Sequence, residues 1–254
     1  MTNPRLSGID GSLYFITDTR MCEQAGRTVA QTVELAVAGG AGIVQVRDKH
    51  ATDATFAQLT LSVLEAVENA RRTNNITRPV PVFVNDRVEV AASLINDGHD
   101  VHVHVGQDDT SVPRVRELIG NTPLIGLSAN TPEEIEAARA HGDFGSGGVD
   151  LLGVGPVWDT ATKEGAPAGL GVDTLKNLIA TSAIPVFAIG GITAESVQPV
   201  PCVLGVLMRW WRYSARVTSV PSLSASTSRT SSPSPCPPFT STPRAPRSIS
   251  SRAW

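Results

Sequence analysis

The chain has 254 residues, is 41% hydrophobic and carries a net charge of -3, so it holds enough apolar material for one sizeable core and no overall pull toward nucleic acid. No window reaches the roughly 18 apolar residues of a membrane span, and Met1 to Gly11 lacks the apolar run of a signal peptide. Cys22, Cys202 and Cys236 have neither metal nor disulfide spacing, which points to a reducing, cytoplasmic setting.

Leu13 to Thr17 is a compact apolar run and reads as a first strand. A polar loop follows. Val29, Val33, Ala36 and Val37 recur at helical spacing, and Gly39-Gly40 ends that helix. Ile43 to Lys49 is rich in β-branched residues and follows glycines, so it reads as a buried strand. Alternation puts Gln45, Arg47 and Lys49 on one face, with Val44 and Val46 on the other. A face carrying an amide, a guanidinium and an ammonium cannot be buried in oil. It calls for an anion-filled pocket at the strand's end.

Phe56, Leu59, Val63 and Val67 mark a second amphipathic helix. Val80 to Val84 is a third strand that runs straight into Asn85-Asp86. Val88 to Ile95 is a helix, closed by Asn96-Asp97-Gly98. Val101 to Val105 is strand four, ending in Gly106-Gln107-Asp108-Asp109, and a helix near 112–119 follows. Leu124 to Leu127 is strand five, ending at Ser128. Thr131-Pro132-Glu133-Glu134 joins a capping box to a Pro at the first helical position. Leu151 to Val154 is strand six, ending in Gly155-Pro156. A long polar loop reaches about Gly171, and Asp173 is placed to cap a helix through Ile179. Pro185 to Ile189 is strand seven, ending in Gly190-Gly191, and Thr193 is placed to cap a helix after it.

These seven strand–helix units imply an α/β fold with parallel strands and right-handed crossovers. A (β/α)8 TIM barrel is the natural closure, usually about 250 residues long. An open doubly wound sheet is the second choice. Polar residues sit just past the strands' C-terminal ends, where barrels build their sites. After about Val200 the pattern dissolves. Val203 to Met208 has strand character, but Arg209 to Tyr213 does not turn into a helix. From Ser219 the chain is Ser, Pro, Thr and Arg, too poor in aliphatics to order itself. Residues 196–254 hold seven Arg and no acid, which leaves -10 in residues 1–195. The eighth unit is therefore expected to be missing or replaced by an aberrant, disordered tail, with strands one and seven unpaired at their edges.

Each polar candidate has a plain structural reading beside the chemical one. Asp86 precedes a helix with Glu89 three residues on, so it suits an N-cap as well as a metal ligand. Asp108 and Asp109 suit the positive end of the next helix. His102 and His104 share a strand face, and core or rim is the expected place for them. Gly190-Gly191 opens a helix after strand seven, where barrels bind phosphate through backbone N–H groups. The loop from Gly155 to Lys163, with Thr160, Thr162 and Lys163 between glycines, is a second anion signal. Carboxylates Asp86 and Asp109 among so many cations suggest Mg²⁺ bridging to a polyphosphate.

Val44-Gln45-Val46-Arg47-Asp48-Lys49, Val84-Asn85-Asp86, Val103 to Asp109, Gly153 to Val157, Thr160-Ala161-Thr162-Lys163 and Ile189 to Thr193 resemble the thiamine phosphate synthase family. The resemblance runs in order from about residue 13 to 198. It implies a TIM barrel that joins a hydroxymethylpyrimidine diphosphate to a thiazole phosphate, with Mg²⁺, and releases pyrophosphate. It further implies that Gln45, Arg47, Lys49 and Asn85 hold the pyrimidine diphosphate and that Asp86 and Asp109 bind Mg²⁺. Ser128 would lie by the pyrimidine. Thr160, Thr162 and Lys163 would meet phosphates, with Lys163 on the departing diphosphate, and Gly191 would bind the thiazole phosphate. The partners implied are these small molecules, with neither nucleic acid nor membrane, and a homo-oligomer stays open. Two alternatives stand beside this: a non-catalytic phosphate-binding barrel, and the related thiazole tautomerase, which would not need the carboxylates.

The family's eighth strand, typically Gly-Ala-Asp-Gly-Val-Ala-Val-Val-Ser, is absent from the chain as written. With CGN codons for Arg209 and Arg212, Met208 to Arg212 reads ATG CGN TGG TGG CGN. A two-base shift turns this into Ala, then Val, Leu or Met, then Val, then Ala, and allows Asp before them. The expected organisation is an N-terminal arm (1–12), a barrel (13–198) and a frame-shifted tail (199–254). As written, the chain should bind thiazole phosphate poorly and exchange backbone amides quickly after residue 200. Restoring the other frame from near codon 199 should raise turnover and unfolding free energy together. Full activity and cooperative folding of the chain as written would sink the frameshift.

Overall fold

The computed structural model describes residues 3–142, 147–160, 168–193, 196 and 206–208. Its elements are β1 (Leu13–Ile16), α1 (Thr19–Gln24), α2 (Val29–Ala38), β2 (Ile43–Val46), α3 (Asp53–Thr73), β3 (Val82–Asn85), α4 (Val88–Asn96) and β4 (His102–Val105). They continue as α5 (Val112–Ile119), β5 (Ile125–Ser128), α6 (Pro132–Ala140), β6 (Leu151–Val154), α7 (Val172–Thr181), β7 (Val186–Ile189) and β8 (Val206–Met208). The eight strands pair in chain order, all parallel, and close into a barrel.

Closure corrects one expectation. Strands one and seven are not left with open edges: β8 pairs with β1 at Leu13↔Val206 and with β7 at Ala188↔Val206. Strand pairing is a backbone matter, so a short β-prone run suffices to satisfy both edges. A helix after β8 and the tail from 209 lie outside the described residues. The chain divides into compact units at 1–219 and 220–254, and the second lies wholly outside them.

Alternation sorts each strand between two cores. Outward residues such as Val44, Val46, Val82, Val84, Val103 and Val105 pack against the helices. Inward residues Tyr14, Ile16, Ile43, Phe83, Leu124, Leu151 and Phe187 form a second cluster inside the barrel. Tyr14 sits 5.4 Å from Phe83 and 5.5 Å from Phe187, ring to ring. Aromatic bulk therefore fills the lower barrel. Toward the strands' C-terminal ends the inward positions turn polar or small: Gln45, Asn85, His104, Ser128 and Gly153. That change opens a hollow at the strands' C-terminal end.

The helices start largely as their sequences predict. Thr28 heads α2 with a reciprocal capping box to Gln31. Thr131 accepts from the Glu134 N–H at the start of α6, while the Glu134 carboxylate reaches one residue further back, to the Asn130 N–H. Three details differ. The polar loop after β1 contains α1, six residues capped by Asp18 and too short to show a period. Asp173 lies in the first turn of α7, whose cap is Gly171 at φ 76°. The cap of α4 is Arg87, whose side chain makes no capping bond. The Thr193 turn does form, with Ser196 N–H donating to Thr193 Oγ1, and the helix expected after it lies outside the described residues.

The N-terminal arm closes the opposite end. A single 3₁₀ turn, Pro4–Leu6, sets Leu6 and Ile9 against the interior cluster. Beneath it Asp150 is fully buried. It accepts from Arg5 Nη1 at 2.8 Å, Arg116 Nη2 at 3.0 Å and the Ile125 N–H at 2.8 Å. Arg5 also donates to the carbonyls of Asn121, Thr122 and Pro123. One carboxylate thus fastens the arm to β5 and α5. Removing one partner of a buried pair costs about 3–5 kcal/mol because the other charge is stranded. Asp150→Ala should lower the unfolding free energy by about that much in urea titration. A loss below about 1 kcal/mol would show that water already reaches the group.

Candidate active site

A cavity of about 440 Å³ opens at the C-terminal ends of the strands. The β2 face identified above climbs into it. Gln45 is buried within the barrel, Arg47 is half-buried just past the strand, and Lys49 is exposed at the rim. Arg47 donates its backbone N–H to Thr17 Oγ1 at 2.9 Å, which ties the ends of β1 and β2. Among the described residues its guanidinium has no ion pair or hydrogen bond, so its charge is left for something in the cavity.

Lys49 pairs instead with Asp86. Asp86 follows β3 with φ 61°, a left-handed backbone that non-glycine residues adopt at a cost of order 1–3 kcal/mol. Its N–H is held by the His104 carbonyl at 2.9 Å. The side chain does not cap α4; it faces the mouth. Asp109, from the β4 loop, accepts from the Gly106 N–H at 2.8 Å. A Cβ at position 106 would sit 2.8 Å from Asp109 Oδ2, so Gly106 makes room for that carboxylate. Burial, and then the Asp86 carboxylate beside it, push the Asp109 carboxyl above the usual range, while Lys49 works the other way. Two acids this close want a cation between them.

Behind these groups a buried polar chain crosses the barrel. Gln45 Nε2 donates to Tyr14 Oη at 2.9 Å. Tyr14 Oη lies 3.4 Å from His104 Nδ1, and His104 Nε2 lies 3.3 Å from Ser128 Oγ. Loss of hydration pushes His104 down to about 4, only partly opposed by Asp109, so the imidazole is neutral near pH 7. Burial raises the Tyr14 phenol, which keeps its proton.

The β6 and β7 loops meet backbone to backbone. A Cβ at Gly155 would lie 1.9 Å from the Ile189 carbonyl oxygen, and one at Gly191 would lie 2.6 Å from that of Trp158. Gly190 and Gly191 also hold φ of 88° and 67°. Packing alone therefore demands glycine there. On the other side of the mouth, Arg87 stacks 5.0 Å from the Phe56 ring and donates to the Ala51 carbonyl. That contact steadies the segment carrying Lys49.

Of the candidates, Gln45, Arg47, Lys49, Asn85, Asp86, Asp109, Ser128 and Thr160 line this one cavity. Gly191 does not, although its neighbour Gly190 does. Thr162 and Lys163 lie outside the described residues. His102 is buried at the far end. His104, expected to be core or rim, is both buried and a wall of the cavity. Sequence reasoning passed over His104 and Tyr14 as working residues. The available signal was period-two alternation, which puts both on the face that bears Gln45. A second hollow, about 560 Å³, lies near Arg5, Arg71 and His102. Its two arginines are engaged with carboxylates and carbonyls, so it offers an anion little.

Comparison with known proteins places the chain and its fold. The family model described as thiamine monophosphate synthase matches residues 13–202. A thiamine-phosphate synthase of Chloroflexus aurantiacus is 40% identical over 195 residues, 76% of this chain and 79% of that one. A thiamine-phosphate synthase of Ruminiclostridium cellulolyticum is 36% identical, covering 75% of this chain and 80% of its own. Among solved structures, a thiamine phosphate pyrophosphorylase from Pyrococcus furiosus superposes with a TM-score of 0.62 at 27% identity, covering 79% of this chain and 86% of that one.

Asn tolerates a left-handed backbone at least as well as Asp, and no cap is at stake. Asp86→Asn should therefore leave thermal unfolding within about 0.5 kcal/mol of wild type. A loss well beyond about 1 kcal/mol would give Asp86 a structural role after all.

Proposed function

This chain belongs to the thiamine monophosphate synthase family, and from that premise we infer how its mouth is divided between two phosphorylated substrates. The family activity is a transferase reaction in thiamine biosynthesis. It joins 4-amino-2-methyl-5-hydroxymethylpyrimidine diphosphate to a thiazole phosphate, giving thiamine phosphate and pyrophosphate. The observation that carries our division is the convergence of Gln45, Arg47 and Lys49 with Asp86 and Asp109 on one cavity.

Arg47 and Lys49 hold the diphosphate, the first as a planar fork and the second as a mobile point charge. Gln45, Asn85 and Ser128 take the pyrimidine. Thr160, Thr162 and Lys163 meet phosphates, with Lys163 on the leaving diphosphate, and the Gly191 N–H receives the thiazole phosphate. The thiazole nitrogen that attacks carries no proton, so no general base is required. What the barrel supplies is stabilisation of negative charge as diphosphate departs, the preorganised electrostatics that often dominate catalysis.

The donor set fits Mg²⁺. Among the described residues no group of three His, Cys, Asp or Glu side chains gathers to hold a metal alone. Two carboxylates at a phosphate site suit an ion that completes its shell with water and substrate oxygens. Asp86 and Asp109 would hold it, and when bound it would neutralise diphosphate charge. Their presence also speaks against the tautomerase reading, which has no use for them.

We place the reaction in a reducing, cytoplasmic compartment. Cys22, the one cysteine among the described residues, is a free, buried thiol. No helix among the described residues is long and apolar enough to cross a membrane. The barrel is the working part, and the tail from 199 is best read as a shifted frame. The family match ends at 202, close to that point.

Arg47→Met tests the division. Losing a charge-assisted, bidentate contact should weaken pyrimidine diphosphate binding at least about tenfold and nearly abolish turnover, with the melting curve unchanged. Unchanged affinity in calorimetry would remove Arg47 from the site. In parallel, Asp86→Asn should lose the Mg²⁺-dependent turnover. If it turns over normally at ordinary Mg²⁺, the metal lies elsewhere.

A further inference from the structure

We propose that the buried chain Gln45–Tyr14–His104–Ser128 sets the hydrogen-bond polarity of the pyrimidine subsite, so that the barrel selects an aminopyrimidine over its oxo analogue. This rests on the substrate division above. It assigns positioning roles to Tyr14 and His104.

The geometry allows few choices. Tyr14 is fully buried, Gln45 is 2% exposed and His104 5%, so water does not supply partners. The Gln45 amide nitrogen donates to Tyr14 Oη. The single Tyr14 hydrogen then goes to the other atom in reach, His104 Nδ1. An imidazole that accepts at Nδ1 carries its hydrogen at Nε2. That N–H donates to Ser128 Oγ. The Ser128 hydrogen is left to point into the cavity, and the Gln45 carbonyl oxygen is left as an acceptor. Turning the Gln45 amide over would reverse every bond in the chain. The two ends therefore change together, and the subsite reads a matched pair of groups.

The seat of the ring shows that this arrangement is built. A Cβ at Gly126, mid-strand in β5, would lie 2.3 Å from His104 Nδ1. Glycine inside a strand weakens it, and its usual reason is close approach of another group. Here that group is the imidazole. The Tyr14 ring is in turn fixed between Phe83 and Phe187.

An acceptor at Gln45 and a donor at Ser128 match an exocyclic amine and a ring nitrogen. A 4-oxo ring presents the opposite pair, a carbonyl oxygen and an N–H. Sites built to hydrogen-bond a ligand reject the mismatched one by large factors, because buried groups are left unpaired.

The test is calorimetry with 4-amino-2-methyl-5-hydroxymethylpyrimidine diphosphate and its 4-oxo analogue, on the full-length protein with Mg²⁺. Wild type should favour the amino compound at least about 100-fold. Tyr14→Phe keeps the ring packing and cuts the chain, so the ratio should fall at least about tenfold while pyrophosphate affinity stays unchanged. His104→Gln has both an acceptor and a donor and should restore most of the ratio that His104→Leu loses. A wild-type preference for the oxo compound, or a ratio indifferent to both Tyr14→Phe and His104→Leu, overturns the proposal. If Tyr14→Phe does not fold, the His104→Gln and His104→Leu pair decides alone. Binding needs no turnover, so a wild type that discriminates yet makes no thiamine phosphate defeats the functional reading and leaves this one standing.

Discussion

A closed ring of parallel strands sends every C-terminal strand end to the same rim. All else follows from that constraint. Residues from β2, β3, β4 and β5, far apart in the chain, become neighbours without a contact designed for each pair. It also sets where charge is tolerated. The ring's interior is too narrow for solvent, so the lower layers must be apolar or fully paired. Only at the rim is a guanidinium such as that of Arg47 able to keep its charge for a ligand.

The two ends handle charge in opposite ways. At the closed end Asp150 sits in a saturated network with Arg5 and Arg116. Both carboxylate oxygens are taken up, and of the Arg116 guanidinium Nε alone lacks a partner among the described residues, so the charges there specify how the arm docks. At the open end Asp109 is held beside Asp86 against its own preference, and Asp86 holds a strained backbone. Unfavourable proximity persists only where the surrounding structure enforces it, and it is relieved when a cation arrives. The glycine contacts between the β6 and β7 loops are enforced in the same way, since they bring two loops together at backbone distance.

The strand–helix rhythm was legible because both periods are local. Val44 and Val46 alternate with Gln45, and Val29, Val33, Ala36 and Val37 recur every turn, whatever the rest of the chain does. The short α1 was not legible, since six residues make fewer than two turns and its order comes from Asp18 and the burial of Cys22. Asp173 and Asp86 looked like caps because capping chemistry depends on residue type. Gly171 took the first role through a positive φ, and Asp86 was turned toward the mouth by its own left-handed backbone. The barrel itself was expected, but the pairing of β8 with β1 and β7 was not, because β8 is only three residues long and pairs through main-chain groups that any sequence carries.

By itself the sequence determined the class of fold, the shared face of Gln45, Arg47 and Lys49 and, through six ordered motifs, the family. Each is written in periods and residue types, which need no neighbours to be read. Only the tertiary structure decided that Asp86 faces Lys49 and Asp109, that Gly126 seats an imidazole, and that Tyr14 and His104 join Gln45 to Ser128. Those facts depend on strand register around a closed ring. Register is set by which strands meet across the barrel, and no single stretch of chain contains that information.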